Sequence, residues 1–374
     1  MSSAGSSAGS SSNSPFFSPA AGPDPAAGAA TALDDHGWDA DWAAAFAEHV
    51  ADGLTPARVV RVDRGRCEVV TGRGPVHADS TATPGACTGD WVALRDGAEP
   101  RLAALLPRRT AIVRASAARD SHGQVLAANV DTVVLAVSAA GALDAGRLER
   151  LLALAWESGA RPVVALTKID QAADPGASLS EAAALAPGAD VVATSALTGE
   201  GLDALTAALT GTVVLLGTSG TGKSTLGNAL LGEPVLATGA VRASDGKGRH
   251  TTVRRELLPL PHGGVLIDTP GLRGVGLFDA AEGLEQVFAE IEELAADCRF
   301  TDCAHQAEPG CAVLAAIEAG TLPARRLASY RKLLRESAWA AARTDARVRA
   351  ERTDRLKAIT RHQRATYRFR DRQR

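Results

Sequence analysis

Residues 213–230 read VVLLGTSGTGKSTLGNAL, and the rest of the chain is organised around this stretch. Four apolar, β-prone residues lead into a glycine-rich turn that fits the pattern G-x-x-x-x-G-K-[ST], and a helical run follows. This order predicts a P-loop, because glycines let backbone N–H groups surround phosphate oxygens and the helix N-terminus adds partial positive charge. The alternative is a glycine-rich turn that matches by chance.

Each position of this loop has a predicted role in holding a nucleotide. Lys223 reaches the β- and γ-phosphates, and the hydroxyl of Ser224 ligates Mg²⁺. A compact ammonium suits a phosphate cradle better than a planar guanidinium does, and the chain otherwise uses mostly arginine. The predicted nucleotide-binding residues of the loop are Gly217, Thr218, Ser219, Gly220, Thr221, Gly222, Lys223, Ser224 and Thr225.

Apolar strands alternate with helical stretches from residue 130 onward. The strand-like runs cover residues 130–139, 161–170, 189–196, 213–217 and 263–271. The alternation predicts a parallel sheet with helices on both faces, and ligands bind such sheets at the carboxyl ends of the strands. The candidate nucleotide motifs fall at those ends, which favours one α/β nucleotide-binding domain.

The strand that ends at Asp268 is followed by Thr269, Pro270 and Gly271. A carboxylate at this place can hold the Mg²⁺ shell, and the backbone N–H of Gly271 can approach a γ-phosphate. The pattern D-x-P-G alone is also a good turn sequence. Its place after a strand of the same sheet favours the nucleotide role.

Two further strand ends carry residues suited to guanine. Asp170, in the stretch Thr167-Lys168-Ile169-Asp170, can accept from both N–H groups of guanine, a pair of donors that adenine lacks, and the stem of Lys168 can cover the base. The usual motif is N-K-x-D, so Thr167 is a departure. Ser195 and Ala196 end the next strand and resemble the element whose backbone amide reads guanine O6, although alone they would be a plain turn.

A cluster of metal-ligand types lies in the last third of the chain. Cys298, Cys303, His305 and Cys311 form C-x4-C-x-H-x5-C, a set that can complete a tetrahedral zinc site. With no open position for substrate, such a site is structural, and a short segment with little core needs it. The alternative is four buried residues close together by chance.

The first hundred residues have a different character. Residues 1–35 are rich in Ser, Ala, Gly and Pro and are predicted to be disordered, and residues 38–50 to form one short helix. Short β-like runs over residues 57–106 predict a small closed barrel, of which the OB-fold is a common nucleic-acid-binding form. Five arginines could form a cationic surface for nucleic acid; an equally good alternative is that they only lie on solvated strand faces. They are Arg58, Arg61, Arg64, Arg66 and Arg73.

Charge and composition limit the class of protein. The formal net charge is −3, yet the last fifty residues are strongly basic and the rest acidic, which suggests a polyanionic partner. The 5 cysteines do not suggest a disulfide framework, and neither a signal peptide nor an 18-residue apolar span is found. We therefore expect a cytoplasmic protein with no membrane contact.

The guanine motifs precede the P-loop, whereas in ordinary GTPases they follow it. With the barrel, AANVDTVV at 127–134, GRHTT at 248–252 and the cysteine cluster, this order resembles the RsgA (YjeQ) family, the circularly permuted GTPases of small ribosomal subunit biogenesis. The resemblance covers about residues 58–335, and the cluster matches the family's zinc motif at every ligand.

The resemblance implies a multidomain fold: a β-barrel (OB-fold), a circularly permuted α/β P-loop GTPase domain and a small, mainly α zinc-binding domain. The predicted divisions are an N-terminal extension with one helix (1–55), the barrel (56–110), the GTPase domain (111–285), the zinc domain (286–340) and a basic tail (341–374). Residues 322–341 are predicted to form a helix whose apolar side includes Leu327, Tyr330, Leu334 and Ala338, with arginines around it.

Residues 244–255 are polar and glycine-rich, and we expect a switch loop there in which Thr251 or Thr252 closes on Mg²⁺. Many GTPases use a Gln after D-x-P-G to orient the attacking water, but Leu272 stands there. The family pattern implies that His250 takes part in hydrolysis instead. The alternative is that His250 is an exposed loop residue or touches the ribosome.

The resemblance implies a monomeric GTPase that binds the small (30S) ribosomal subunit and assists its late maturation. Its partners would be 16S rRNA and 30S proteins, contacted by the barrel and the zinc domain, together with GTP and GDP, one structural Zn²⁺ and Mg²⁺. A GTP-binding rRNA-binding module with little hydrolysis is the competing class. An ATPase is a third, and Asp170 argues against it.

Overall fold

A computed structural model describes residues 33–114, 124–236, 255–268 and 280–344. Most of the predicted disordered segment and basic tail lie outside these ranges, as do His250, Thr251, Thr252 and Gly271. The described strands are β1 Thr55–Asp63, β2 Arg66–Thr71, β3 Gly74–Asp79, β4 Trp91–Arg95, β5 Arg101–Leu105, β6 Ala111–Arg114, β7 Gln124–Ala128, β8 Thr132–Ser138, β9 Arg161–Thr167, β10 Asp190–Ala193, β11 Thr212–Leu216, β12 Glu256–Pro259 and β13 Val265–Asp268. The described helices, numbered here in chain order, are α1 Ala40–Val50, α2 Ala145–Glu157, α3 Pro175–Leu185, α4 Leu202–Ala208, α5 Lys223–Leu231, α6 Ala281–Val287, α7 Ala289–Ala296, α8 Ala312–Glu318 and α9 Ala324–Thr344.

Five strands close into the predicted barrel in the order β1-β2-β3-β5-β4, and β4 pairs back with β1. The neighbouring pairs are antiparallel except for β3 and β5, which meet in parallel at Asp79 and Arg101. Val59, Val69 and Leu94 fill the interior and are fully buried. This closed, five-stranded arrangement confirms the expected OB-fold barrel.

The short N-terminal helix α1 packs against the barrel. Asp39 caps it by accepting a hydrogen bond from the backbone N–H of Trp42 at 2.8 Å. The ring of Trp42 lies 5.9 Å from that of Trp91, which stands on β4. Arg109 donates to the Asp39 carboxylate at 2.7 Å and holds the pKa of that carboxyl below its usual range. The predicted helix therefore exists, and aromatic packing and an ion pair fix it to the domain that follows.

The P-loop strand β11 lies inside a six-stranded sheet ordered β10-β9-β8-β11-β13-β12. All pairs are parallel except β12 with β13. The strands of the guanine motifs, β9 and β10, precede β11 in the chain and lie on one side of it, while β13 lies on the other. The permuted chain order is thus compatible with a single sheet. Neither the four-residue edge strand β12 nor the β6–β7 hairpin was expected from the sequence.

One barrel arginine, Arg58, is buried where the barrel contacts the N-terminal end of the P-loop strand β11. Its side chain donates to the Thr212 hydroxyl at 2.6 Å and to the Gly89 carbonyl at 3.4 Å, and its guanidinium lies 5.1 Å from the Trp91 ring. Burial lowers its pKa to about 10, against the opposing effect of two nearby aspartates. The sequence suggested Arg58 as a cationic surface position, and this is wrong because the residue is only 2% exposed.

The other barrel arginines differ in their availability. Arg61 pairs with Glu68 at 3.1 Å within the barrel and approaches Glu256 on β12 at 4.0 Å. Arg73 forms an ion pair with Asp96, which directly follows β4. Arg64 and Arg66, at the turn between β1 and β2, are exposed. Of the suggested cationic positions, Arg64, Arg66 and Arg73 are therefore the exposed ones that a polyanion could reach.

Two short helices, α6 and α7, precede the cysteine cluster. Phe288 separates them, with φ −116 and ψ 34, and its side chain is fully buried. Its ring packs against that of Tyr330 on α9 at 5.3 Å. The break thus places an aromatic side chain between the two helices and α9.

The long helix α9 presents a different face to the core than the apolar pattern predicted. Leu334, expected inside, is 37% exposed. The prediction failed because two polar residues share the buried face: Ser337 accepts from the backbone N–H of Ala280 at 3.0 Å, and Arg326 is ion-paired. The most buried residues of α9 are Arg326, Leu327, Leu333 and Ser337.

Candidate nucleotide and zinc sites

The P-loop turns on glycines whose backbone lies in the left-handed region. Gly220 and Gly222 have φ of 87 and 82, and α5 begins immediately after Gly222. At Gly217, a Cβ would lie 2.5 Å from the carbonyl oxygen of Ala136 on β8, so this close approach requires glycine. The Nζ of Lys223 donates to the Thr218 carbonyl at 2.6 Å, across the mouth of the loop. A glycine-rich turn directly before the N-terminus of a helix is the arrangement that binds an anion through backbone N–H groups.

The guanine motif and the P-loop are in direct contact. The hydroxyl of Thr167 donates to the carbonyl of Thr221 at 2.7 Å, and the Nζ of Lys168 donates to the carbonyl of Gly220 at 2.7 Å. Lys168 itself has a φ of 57, which turns the chain sharply at the end of β9. Two motifs that are fifty residues apart in the chain therefore form one continuous surface.

The departure at Thr167 has a structural consequence. Its side chain is 4% exposed, and its hydroxyl also lies 3.1 Å from the carbonyl of Val137 on β8. The hydroxyl thus fastens the P-loop to the end of the sheet. Thr167 therefore braces the P-loop at the position where the usual motif has asparagine.

The loops after β9 and β10 are tied together beneath the predicted base site. The backbone N–H of Ile169 donates to the carbonyl of Thr194 at 3.2 Å, which joins the two loops. Asp170 is exposed next to this joint, in a short 3₁₀ turn. Ser195 is buried and its hydroxyl accepts from the N–H of Thr198 at 3.2 Å, while Ala196 is half-buried. Asp170 is therefore available to a ligand from a fixed loop.

The two predicted Mg²⁺ ligands are attached to neighbouring strands. Ser224 is in the first turn of α5, directly after the loop of β11, and Asp268 ends β13, which pairs with β11. Both residues are half-buried. A hydroxyl and a carboxylate are the hard oxygen donors that Mg²⁺ takes, so the donor set fits this ion.

The remaining P-loop residues lie at the surface of the loop. Thr221 also donates from its hydroxyl to the carbonyl of Thr218 at 2.9 Å, which tightens the turn. Ser219 and Thr225 are exposed and Thr218 is half-buried. The other predicted site residues, His250, Thr251, Thr252 and Gly271, fall outside the described ranges.

The four predicted zinc ligands come together in space. Their donor atoms all lie within 4.8 Å of one another. The Sγ atoms of Cys298 and Cys311 are 3.8 Å apart, and they lie 3.6 Å and 3.4 Å from Nδ1 of His305. Zinc–sulfur bonds of about 2.3 Å and zinc–nitrogen bonds of about 2.0 Å at tetrahedral angles place ligand atoms about 3.4 to 3.8 Å apart. The cluster therefore fits one tetrahedral zinc ion.

Local structure brings these ligands together. Cys298 follows the end of α7, and Cys311 caps α8 by accepting from the N–H of Leu314 at 3.4 Å. His305 has a φ of 57 and lies between them, where Arg331 of α9 donates to its carbonyl oxygen. Arg331 is one of the arginines that surround the helix predicted over residues 322–341. Its contact with a ligand residue could not be predicted without knowing where α9 packs.

Glu149 is another residue that the sequence did not single out. It is fully buried on α2 and accepts from Arg326 of α9 at 2.8 Å. An acidic residue within the apolar run of α2 was the available signal.

The described helices include none with the length and hydropathy needed to cross a bilayer.

Comparison with known proteins agrees with this geometry. The family model described as RsgA GTPase matches residues 105–278. The small ribosomal subunit biogenesis GTPase RsgA of Streptomyces coelicolor is 60% identical over 332 residues, which is 86% of this chain and 91% of the relative. The RsgA protein of Opitutus terrae is 44% identical over 357 residues, 89% of this chain and 97% of the relative.

Two solved structures share the fold. The crystal structure of YjeQ from Thermotoga maritima matches with a TM-score of 0.57 at 24% identity, covering 76% of this chain and 98% of that one. The structure of YloQ, described as a circularly permuted GTPase, matches with a TM-score of 0.55 at 23% identity, covering 76% and 94%. The permuted arrangement of the sheet therefore has direct structural precedents.

Proposed function

The chain belongs to the RsgA family of small ribosomal subunit biogenesis GTPases, and from that premise we propose that it binds the small (30S) subunit and hydrolyses GTP to assist late maturation of that subunit. The observation that carries the proposal is the contact of Thr167 and Lys168 with the P-loop carbonyls of Thr221 and Gly220. It unites the guanine-reading element and the phosphate cradle in one site. A permuted GTPase needs this union despite the changed order of its motifs.

The phosphate side of the site uses the P-loop. Its backbone N–H groups and Lys223 bind the β- and γ-phosphates, where they offset the negative charge that grows in the transition state. Ser224 and Asp268 would hold Mg²⁺, which would supply positive charge that offsets the charge of the phosphate oxygens. The γ-phosphate would also accept a hydrogen bond from the backbone N–H of Gly271.

The base side of the site uses the loops after β9 and β10. The carboxylate of Asp170 accepts from N1–H and N2–H₂ of guanine, and the stem of Lys168 covers one face of the base. The backbone amide of Ala196, held by the buried Ser195, donates to O6. Adenine offers no matching donor pair, so these contacts favour GTP over ATP.

Hydrolysis needs a group that positions the attacking water. Leu272 lacks any polar atom for this work, and the family pattern assigns a part to His250 instead. Thr251 or Thr252 would close on Mg²⁺ in the same switch segment. These assignments rest on the sequence alone.

The barrel and the zinc domain are the proposed rRNA-binding parts, and the divisions at residues 55, 110, 285 and 340 remain part of this proposal. Arg64 and Arg66 are exposed on the barrel and suit phosphate contacts. One structural zinc ion would keep the zinc domain rigid. Its ligands would be Cys298, Cys303, His305 and Cys311. The 16S rRNA and 30S proteins would be its partners, in the cytoplasm, with the protein acting as a monomer.

Phosphate release under saturating GTP, with and without purified 30S subunits, tests the proposal. We expect slow turnover by the protein alone and faster turnover with subunits. Lys223→Ala is the control, because it removes a phosphate contact and should be inactive in both cases. No hydrolysis by the wild type in either case would favour the GTP-binding rRNA-binding module, and a preference for ATP would overturn the base site.

A further inference from the structure

A buried ion pair joins helix α2 of the GTPase domain to the C-terminal helices. The Arg326 side chain on α9 is 5% exposed and the Glu149 side chain on α2 is 0% exposed, with Nη1 and Oε1 at 2.8 Å. The same guanidinium donates to the carboxylate of Glu290 at 2.7 Å and to the backbone carbonyl of Val287 at 2.8 Å. One side chain thus connects α2, the end of α6 and α7.

The Glu149 end of this connection leads to the nucleotide site. Helix α2 follows strand β8, whose last residues touch both nucleotide motifs. The carbonyl of Val137 lies 3.1 Å from the Thr167 hydroxyl, and the carbonyl of Ala136 lies at the place where Gly217 makes its close approach. Any change in the position of α2 therefore acts on the strand that supports the P-loop and the guanine motif.

The Arg326 end leads to the zinc cluster. Five residues further along the same helix, Arg331 donates to the backbone carbonyls of Ala304 and His305, beside and within the ligand set. Five residues of an α-helix span about 7.5 Å, so a shift of the helix at Arg326 also shifts Arg331. The described residues thus form an unbroken physical path from the phosphate cradle to a zinc ligand.

Burial makes this connection strong enough to transmit a change. A charge pair withdrawn from water interacts far more strongly than an exposed pair, and a broken one leaves an unpaired buried charge. Arg326 satisfies three acceptors at once, which a shorter or less branched donor cannot do. A second pair, Arg150 with Glu336 at 2.5 Å, joins the same two helices but is about one-third exposed on each side. It therefore provides a natural comparison.

We propose that Arg326 couples the nucleotide site to the zinc cluster, so that occupancy of either site changes the affinity of the other. The inference rests on the proposed function for the presence of both sites. Because coupling is reciprocal, the factor by which zinc changes the Kd for nucleotide equals the factor by which nucleotide changes the Kd for zinc. That equality can be measured without the ribosome.

The experiment measures the Kd of a fluorescent GDP with the protein zinc-loaded and after zinc removal by a chelator. The Kd for zinc is measured by competition with a chromogenic chelator, with and without saturating GDP. For the wild type we expect both ratios to be about five-fold or more and equal. Arg326→Lys, which keeps the charge but not the three contacts, should bring both ratios to within about two-fold of one.

A charge-free pair of substitutions separates loss of coupling from loss of folding. Glu149→Leu with Arg326→Met removes both buried charges together, a change that proteins tolerate. The two charges that lose a partner, Glu290 and Arg325, have side chains 38% and 51% exposed and so stay solvated. We expect this variant to fold, as judged by circular dichroism, and to lose the coupling. Arg150→Gln breaks the more exposed pair between the same helices and should keep the wild-type ratio.

Two results would overturn the inference: a wild-type ratio of one, or an unchanged ratio in the charge-free variant. Loss of coupling in Arg150→Gln to the same extent would also count against it, since the effect would then belong to helix packing in general. Failure of the zinc-loaded wild type to bind GDP at all would instead contradict the proposed function. The two failures are therefore distinguishable.

Discussion

The brace between the guanine motif and the P-loop gives the sharpest prediction. Thr167→Val replaces a hydroxyl by a methyl group of nearly the same size and leaves the packing of β9 unchanged. It removes the contacts to the carbonyls of Thr221 at 2.7 Å and Val137 at 3.1 Å. The change therefore tests the hydrogen bond alone.

The expected size of the effect follows from the geometry. A hydroxyl has one proton, so the shorter contact to Thr221 takes it, and a neutral hydrogen bond contributes about 0.5–1.5 kcal/mol net. An acceptor left unpaired in a half-buried loop adds part of a further penalty of about 1–3 kcal/mol. We expect the lost brace to amount to about 1–2 kcal/mol in total. Nucleotide binding then becomes weaker by this free energy, because it must order a P-loop that is no longer held. The Kd for GDP should then rise about five- to thirty-fold.

Titration with a fluorescent GDP measures this change. Thr167→Ser keeps the hydroxyl and should stay close to the wild-type Kd. Thr194→Val is a matched control, because it removes another buried hydroxyl, 3.5 Å from the Leu166 carbonyl, that does not touch the P-loop. An unchanged GDP affinity in Thr167→Val, or an equal loss in Thr194→Val, would refute the brace.

Three further predictions concern other parts of the molecule. Lys223→Ala and Ser224→Ala should each lower GTP turnover, measured by phosphate release, by about 100-fold or more, because the first loses a phosphate contact and the second an Mg²⁺ contact. Near-normal rates in both variants would rule out this site. Cys303→Ala with Cys311→Ala should remove most of the difference in 30S affinity between a GTP analogue and GDP, measured at saturating nucleotide by co-sedimentation; a surviving difference would place the signal in the switch loop at 244–255. Arg58→Met should lower the free energy of unfolding by about 1–3 kcal/mol in denaturant titrations, because buried acceptors such as the Gly89 carbonyl lose their donor. A loss below about 0.5 kcal/mol would show that the contact between barrel and sheet does not depend on Arg58.

Much of the fold was predictable because its signals are local. The glycine spacing around Lys223 needs only a strand before it and a helix after it, and both are encoded within twenty residues. The cluster from Cys298 to Cys311 is likewise contained in one short segment. The sheet could be predicted despite the permutation, since each strand carries its own apolar pattern.

Buried charges were the features that the sequence could not reveal. Arg58 and Arg326 look like surface cations, and their burial depends on partners that are 154 and 177 residues away in the chain. The face of α9 was misassigned for the same reason, because Ser337 and Arg326 belong inside. The edge strand β12 escaped detection because four residues are too few to show a pattern.

The central claim is that motifs in a permuted order build one site that reads guanine and binds phosphate, and Asp170→Asn tests it most directly. The amide offers a donor where guanine also has one, while xanthine has a carbonyl oxygen at that position. Measured Kd values for GTP and xanthosine triphosphate should show weaker binding of the first and tighter binding of the second, so that the preference reverses. Wild-type affinity for GTP in this variant, or loss of both nucleotides without any gain for xanthosine triphosphate, would contradict the account.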